Sequence, residues 1–359
     1  MLRFIFAPAV CFTICAQDAS YQPRFDLEQG YFLKALAEAE ARLRKNSDDA
    51  LALAAKSQAL SSLVRFAEAE DAAARALKLQ PDLPEALLAM AMAKAGKALQ
   101  QINLNSLRLS SQAMDYLKSA AQKDPDYPLV WATLGMGYQQ LPGILGGSTK
   151  KALECAEQLK RLQPARGYLL HARILSMESK WGEAEPIFNK ALRLAPSDPE
   201  IVVGYLNELG EKTTRKTLGE AAQKQKLALE ARRLLPFVRK SARGVEAVSL
   251  AFLDAGLNED AWKVSLEALP GVDAPSIIKL QLGKVAARTG LYSEEGLAFL
   301  DQAAREPLEG GTGGYASVHW RRGQILKKLG RVKEAREAAL KALEYNKGHS
   351  GAKSLLGEL

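Results

Sequence analysis

Arg65-Phe66-Ala67-Glu68-Ala69 ends on an alanine that stands twelve residues before Pro81. The same interval separates Ala113 from Pro125, Ala152 from Pro164 and Ala184 from Pro196. Between these marks apolar residues recur every three or four positions, the spacing of one helix face, and no stretch alternates as a strand would. Alanine, leucine, glutamate, lysine and arginine dominate, all good helix formers. A proline cannot continue a helix but fits a turn or a first helical turn. A small residue at a fixed distance before it therefore implies one two-helix unit repeated at a period of about 34 residues. An ordinary alanine-rich bundle would not keep that distance. The 359 residues would otherwise suggest two globular domains. A repeat array grows unit by unit instead, so the sequence predicts one all-α solenoid.

One copy is nearly complete. Trp131-Ala132-Thr133-Leu134-Gly135-Met136-Gly137-Tyr138 matches the W-x2-L-G-x2-Y element, and through it the chain resembles the tetratricopeptide repeat (TPR) family. The resemblance implies a right-handed α-solenoid of about eight to nine antiparallel helix pairs. It also implies that Trp131, Leu134 and Tyr138 share a face, that Gly135 lets the second helix approach, and that Phe188 fills a gap between units.

The expected units begin with a partial one from Tyr21 to Ser47, carrying Gly30, Ala35 and Leu43 in repeat positions. Full units follow at Ala50–Leu83, at Pro84–Tyr127 with about ten extra residues near Gly96–Asn105, and at Pro128–Ala165 with an inserted loop, Leu141–Ser148. Next come Arg166–Asp198, a degenerate basic unit at Pro199–Arg239, Ala242–Asp273 and Ala274–Leu308. A glycine-rich loop near 309–315 precedes the last unit, Ala316–His349, and residues 347–359 read as a capping helix. The inserted loop is similar to segments of the TPR subunit associated with TRAP-type solute transporters and of TPR proteins that regulate microtubule dynamics. It implies that Ile144 and Leu145 tuck over the stack while Gly146 and Gly147 permit a tight turn; a ligand-contacting role is the alternative.

Residues 1–17 read as a secretory signal peptide. Arg3 is followed by a largely apolar run from Phe4 to Ala16 and then by small polar residues, with cleavage near Ala16 or Gln17. The run is too short to span a bilayer comfortably. The expectation is an exported protein, periplasmic or secreted, with a retained anchor as the alternative. Cys11 and Cys15 would leave with the signal, so Cys155 would stand alone, and a half-buried packing role is expected for it.

No catalytic constellation is expected. His171, His319 and His349 are widely spaced, so no metal or cofactor is predicted. Glu294 and Glu295 are adjacent and diverge on a helix. Gly143–Lys150 lacks the Gly-Lys-Ser/Thr order of a phosphate loop and has no preceding strand.

Charge is the remaining clue. The chain carries +8, and ten basic against three acidic residues fall from Glu211 to Arg243, so the basic unit around Lys212–Arg243 holds nearly all of the surplus. An acidic partner or anionic lipid is the charged reading of that unit; a solvated helix face is the plain one. A second basic cluster, from Arg321 to Lys333, lies in the last unit. Nucleic acid is not expected, since the basic unit lacks interleaved aromatics. If a peptide binds, the resemblance places it on the inner surface made by the first helices. By register that surface includes Gln58, Met92, Met136, Gln139, Gln140, Arg173, Asn207, Trp320, Gln324 and Lys328. The lysine–asparagine clamp by which chaperone-binding TPR domains hold a C-terminal carboxylate is not reproduced. The sequence thus points to a non-enzymatic interaction scaffold for a protein or peptide. The alternative is a solute-binding or transport-accessory protein enclosing a small ligand near the Pro142 loop and Arg173.

Overall fold

The computed structural model describes Leu27 and residues 31–100, 104–308 and 314–359. The signal segment and most of the glycine-rich loop lie outside these. The described residues form α-helices and two short 3-10 turns, with no strand among them. Helix α1 (Phe32–Lys45) is the second helix of the partial first unit. Eight units follow, each opening with a first helix: α2 (Ala50–Ser62), α4 (Pro84–Gln100), α6 (Pro128–Gln140), α8 (Pro164–Met177), α10 (Pro199–Gly210), α13 (Ala242–Asp254), α15 (Pro275–Thr289) and α17 (Gly314–Lys328). The partners are α3 (Phe66–Leu79), α5 (Leu104–Lys123), α7 (Thr149–Leu162), α9 (Trp181–Leu194), α14 (Asn258–Ala268), α16 (Ser293–Ala303) and α18 (Val332–Tyr345). The sixth unit answers α10 with α11 (Lys212–Leu218) and α12 (Glu220–Val238), and α19 (Ser350–Gly357) packs against the last pair. Each helix packs on its sequence neighbours, which is the TPR solenoid.

The repeated small residues explain the pairing. The marker alanines Ala69, Ala152 and Ala184 are fully buried, and Ala113 nearly so. A methyl group on Gly135 would lie 2.9 Å from Leu170 and 3.1 Å from the Cys155 Cβ, so the helix crossing there demands glycine. Where the equivalent residue is serine, its hydroxyl bonds the facing helix: Ser57 Oγ donates to the Ala69 carbonyl at 2.7 Å, and Ser249 Oγ to the Ala261 carbonyl at 2.8 Å. Trp131 Nε1 donates to the Pro125 carbonyl at 2.6 Å, tying the tryptophan of one unit to the proline that closed the last. Phe188 is fully buried between Trp181 and Tyr205, with ring centroids at 5.8 and 5.4 Å. Caps fix several helix starts; Asp49 accepts from Ala52 N–H, Ser148 from Lys151 N–H and Asp198 from Glu200 N–H.

The departures from the repeat have distinct causes. The extra residues near Gly96 lengthen α4 and α5 to 17 and 20 residues, against 13 for α2 and α6. In the sixth unit Gly219 takes a left-handed φ of +83° and breaks α11 from α12. Buried Gln223 ties that break down, donating to the Leu209 and Glu211 carbonyls at 2.6 and 3.0 Å.

The Pro142 loop corrects one expectation. Ile144 does not tuck over the stack; it is 93% exposed, whereas Leu145 is half-buried. Gly143–Leu145 makes a 3-10 turn, and Gly146 reverses the chain at φ +89°. Ser148 N–H then donates to the Tyr138 carbonyl at 2.8 Å. A Cβ on Gly147 would sit 1.7 Å from the Leu141 carbonyl oxygen. The loop is therefore held by its own backbone and needs no apolar anchor at Ile144.

The solenoid winds until its first helix reaches the seventh unit. Tyr31, at the start of α1, donates its hydroxyl to Asp273 Oδ2 at 2.9 Å across 242 residues of sequence. Asp273 Oδ1 also accepts from Ala242 N–H at 2.8 Å, so the contact falls at the edge of the seventh unit.

Candidate functional site

A cavity of about 280 Å³ opens where the first helices converge. Leu129, Ala132 and Met136 of α6 and Arg166, Leu169 and Arg173 of α8 form its floor. Gln58 of α2, Met92 of α4, Glu200 of α10 and Arg243 of α13 close its sides. Only an inner surface can gather side chains from the first helices of six successive units. Leu27 and Phe32 form a further wall, brought there by the winding that joins Tyr31 to Asp273.

The lining is mainly apolar, with polar groups already engaged. Arg166 pairs with Asp198 at 3.2 Å, Arg173 with Glu208 at 3.4 Å and Arg243 with Glu200 at 3.3 Å. Gln58 is 2% exposed, and its Nε2 donates to the Glu85 carbonyl at 3.1 Å. Methionines 92 and 136 are half-buried at the surface of the cavity, where an unbranched, polarizable side chain can adapt to varied partners.

Four of the ten expected groove residues thus meet in one place: Gln58, Met92, Met136 and Arg173. The other six do not line this cavity. Gln139 donates to Glu178 Oε1 at 2.7 Å, and the Thr149 hydroxyl donates to the same oxygen at 3.0 Å. These bonds hold the Glu178 carboxyl below its usual pKa range. Gln140 and Asn207 are exposed. Trp320, Gln324 and Lys328 gather on α17 around Arg321, which the register did not single out. Arg166, Arg243, Leu27 and Phe32 were also missed. Arg166 and Arg243 stand in the first turns of α8 and α13 and could have been found by aligning the units; Leu27 and Phe32 belong to no complete repeat.

His349 caps α19, its Nδ1 accepting from Ala352 N–H at 3.1 Å. His171 is half-buried with its Nδ1 2.7 Å from Lys160 Nζ; burial, then the lysine charge, push its pKa down. Cys155 is buried, and burial raises its thiol to about 12. Among the described residues, no group of three or more His, Cys, Asp or Glu side chains could hold a metal ion. No helix among them is long and apolar enough to cross a membrane.

The basic sixth unit is partly neutralised. Lys224 pairs with Glu220, Lys226 with Glu185, Arg232 with Asp260, Arg233 with Glu230 and Arg243 with Glu200. Lys212, Lys216, Arg239 and Lys240 are exposed. On the same helix as Arg232, Leu229 and Phe237 are also exposed, at 62% and 48%.

Residues 316–349, the ninth unit, match the tetratricopeptide repeat family model. Among solved structures, yeast Tom70 is similar over 99% of this chain and 71% of its own, at 16% identity and a TM-score of 0.52. A thermophilic TPR protein of Thermus thermophilus is similar over 52% of this chain and 98% of its own, at 21% identity and a TM-score of 0.44. No curated protein matches by sequence. Residues 316–349 thus carry a tetratricopeptide repeat, and the phased helix pairs give the described residues the TPR solenoid fold.

Proposed function

We propose that the protein is an exported scaffold that holds a peptide or protein segment on the inner face of its superhelix. The carrying observation is the cavity itself: Met92 and Met136 face it from a floor of Leu129, Ala132 and Leu169, with charged side chains around it. Its volume of about 280 Å³ sits at the low edge of the roughly 300–1,000 Å³ usual for a small-molecule site. That size suits one or two anchoring side chains of a longer partner better than an enclosed metabolite. The Pro142 loop does not line it, which removes one support for the solute-binding reading. Export rests on the signal-like layout of residues 1–17. A second contact, to an acidic surface or anionic lipid headgroups, is proposed on the exposed cations Lys212, Lys216, Arg239 and Lys240.

The test is affinity purification from the envelope fraction, comparing wild type with Met136→Arg. A long charged side chain would fill the cavity without entering the packed core. The proposal expects one protein to co-purify with wild type and to fall at least about tenfold with the variant, since losing a central anchor costs about 2 kcal/mol or more. Equal recovery by both would place the partner elsewhere. A metabolite retained by wild type in place of a protein would favour the small-ligand reading.

A further inference from the structure

The inner face carries a ladder of ion pairs between adjoining units. Arg173 meets Glu208, Arg243 meets Glu200, Lys284 meets Glu246 at 3.1 Å, and Arg288 meets Asp254 at 2.8 Å. Each of these pairs joins the first helices of successive units, a cation on one and a carboxylate on the other. In three of the four the carboxylate lies on the preceding unit. At α17 it stops, because the preceding first helix, α15, carries no Asp or Glu to face it.

Arg321 of α17 is left without such a partner. It is half-buried and forms no ion pair among the described residues. Its guanidinium lies 3.8 Å from the centre of the Trp320 ring, and one N–H donates to Gln324 Oε1 at 2.8 Å. The neighbouring cations cannot compensate it. Arg288 is held by Asp254, and Lys328 Nζ donates to the Arg288 carbonyl at 3.1 Å, over the C-terminus of α15. Burial and then the Arg288 charge push the Arg321 pKa down to about 10. The start of α19 brings His349 against Trp320, while Glu358 just past its end goes to Lys327. Arg322, one residue on, is matched by Asp301.

A half-buried guanidinium with free donors and no counter-ion is a poor way to end a packed surface, because a charge leaving water needs a partner. We infer that Arg321, shelved on Trp320 and steered by Gln324, receives an acidic side chain of a peptide partner, which supplies the carboxylate that α15 lacks. The inference rests on the reading of the inner face as a peptide surface. It adds the chemistry of the partner: an Asp or Glu at the end of the bound segment nearest the ninth unit.

The test is selection of random octapeptides, displayed with blocked C-termini, on the full chain without residues 1–17. Wild type should select sequences enriched in Asp or Glu at one position. The best of them should bind about tenfold more tightly than its Asn or Gln counterpart, the range of one charge-assisted hydrogen bond. Arg321→Gln should abolish both the enrichment and the tenfold difference. Arg321→Lys should keep part of it, and Arg322→Gln should leave it intact. Thermal melting of each variant confirms that the ninth unit is folded. Persistence of the acid preference in Arg321→Gln overturns the inference. So does loss of the preference in roughly 10 mM inorganic phosphate with the peptide still bound, which would mark a site for free anions. Peptides that bind without acid preference but are lost in Met136→Arg sink this inference alone; no selectable peptide at all sinks the groove reading with it.

Discussion

Phe188→Ala tests whether the stack behaves as a one-dimensional array. Phe188 faces neither solvent nor groove; it is 0% accessible and packs between Trp181 and Tyr205, whose own rings stand 6.3 Å apart. Tyr205 is likewise buried, and burial raises its pKa well above the ordinary range. Truncation to alanine should cost about 3–5 kcal/mol from lost burial and the cavity left behind. In a globular core that loss would be shared by the whole molecule. In a solenoid each unit contacts only its neighbours, so the loss should fall on the fifth and sixth units. Hydrogen exchange read by mass spectrometry measures this directly. Amides of α8, α9 and α10 should lose protection by about two to four powers of ten, while those of α17 and α18 should change little. Since α8 carries Arg166, Leu169 and Arg173 to the cavity, partner binding should weaken in parallel. Phe188→Leu, closer in volume, should cost under about 1.5 kcal/mol. Uniform loss of protection along the chain, or a local change below about fivefold, would refute the reasoning.

Three further outcomes follow from local geometry. Ser249→Ala should destabilise by about 1–3 kcal/mol in urea unfolding, because it strands the buried Gln281 amide now 3.0 Å from its hydroxyl; adding Gln281→Leu should recover much of the loss. Gly147→Ala should lower the melting temperature, since the new Cβ meets backbone at 1.7 Å, whereas Ile144→Ala should leave it unchanged. The Cys155 thiol, raised to about 12, should react with an alkylating reagent at pH 8 roughly a thousandfold more slowly in the native protein than in denaturant. Equal rates would mean that the second helix of the fourth unit is not packed as described.

Much of the fold was legible because its signals are local. The alanines and prolines act within one helix pair, so Ala69, Ala152 and Ala184 announce their burial by spacing alone. Residues at one register are legible for the same reason, and Met92, Met136 and Arg173 line one cavity. What a polar groove residue bonds to is not local. Gln58 spends its amide on the next unit's backbone, and Gln139 on Glu178, two helices away. Ile144 was misread because its apolar character says nothing of a turn held by backbone bonds. The walls made by Leu27 and Phe32 depend on the superhelix adding small rotations over successive units, which no local pattern carries. Arg321 is visible in the sequence as one more basic residue; only the surrounding pairs reveal that it lacks one.

The central claim is that a partner lies on the inner face. Site-specific photo-crosslinking tests it most directly, with benzoylphenylalanine placed at Met136 in the cavity and, separately, at Leu340, which is 50% exposed on a second helix. The account predicts a crosslinked protein from position 136 and none from position 340. A product from position 340 alone would contradict it.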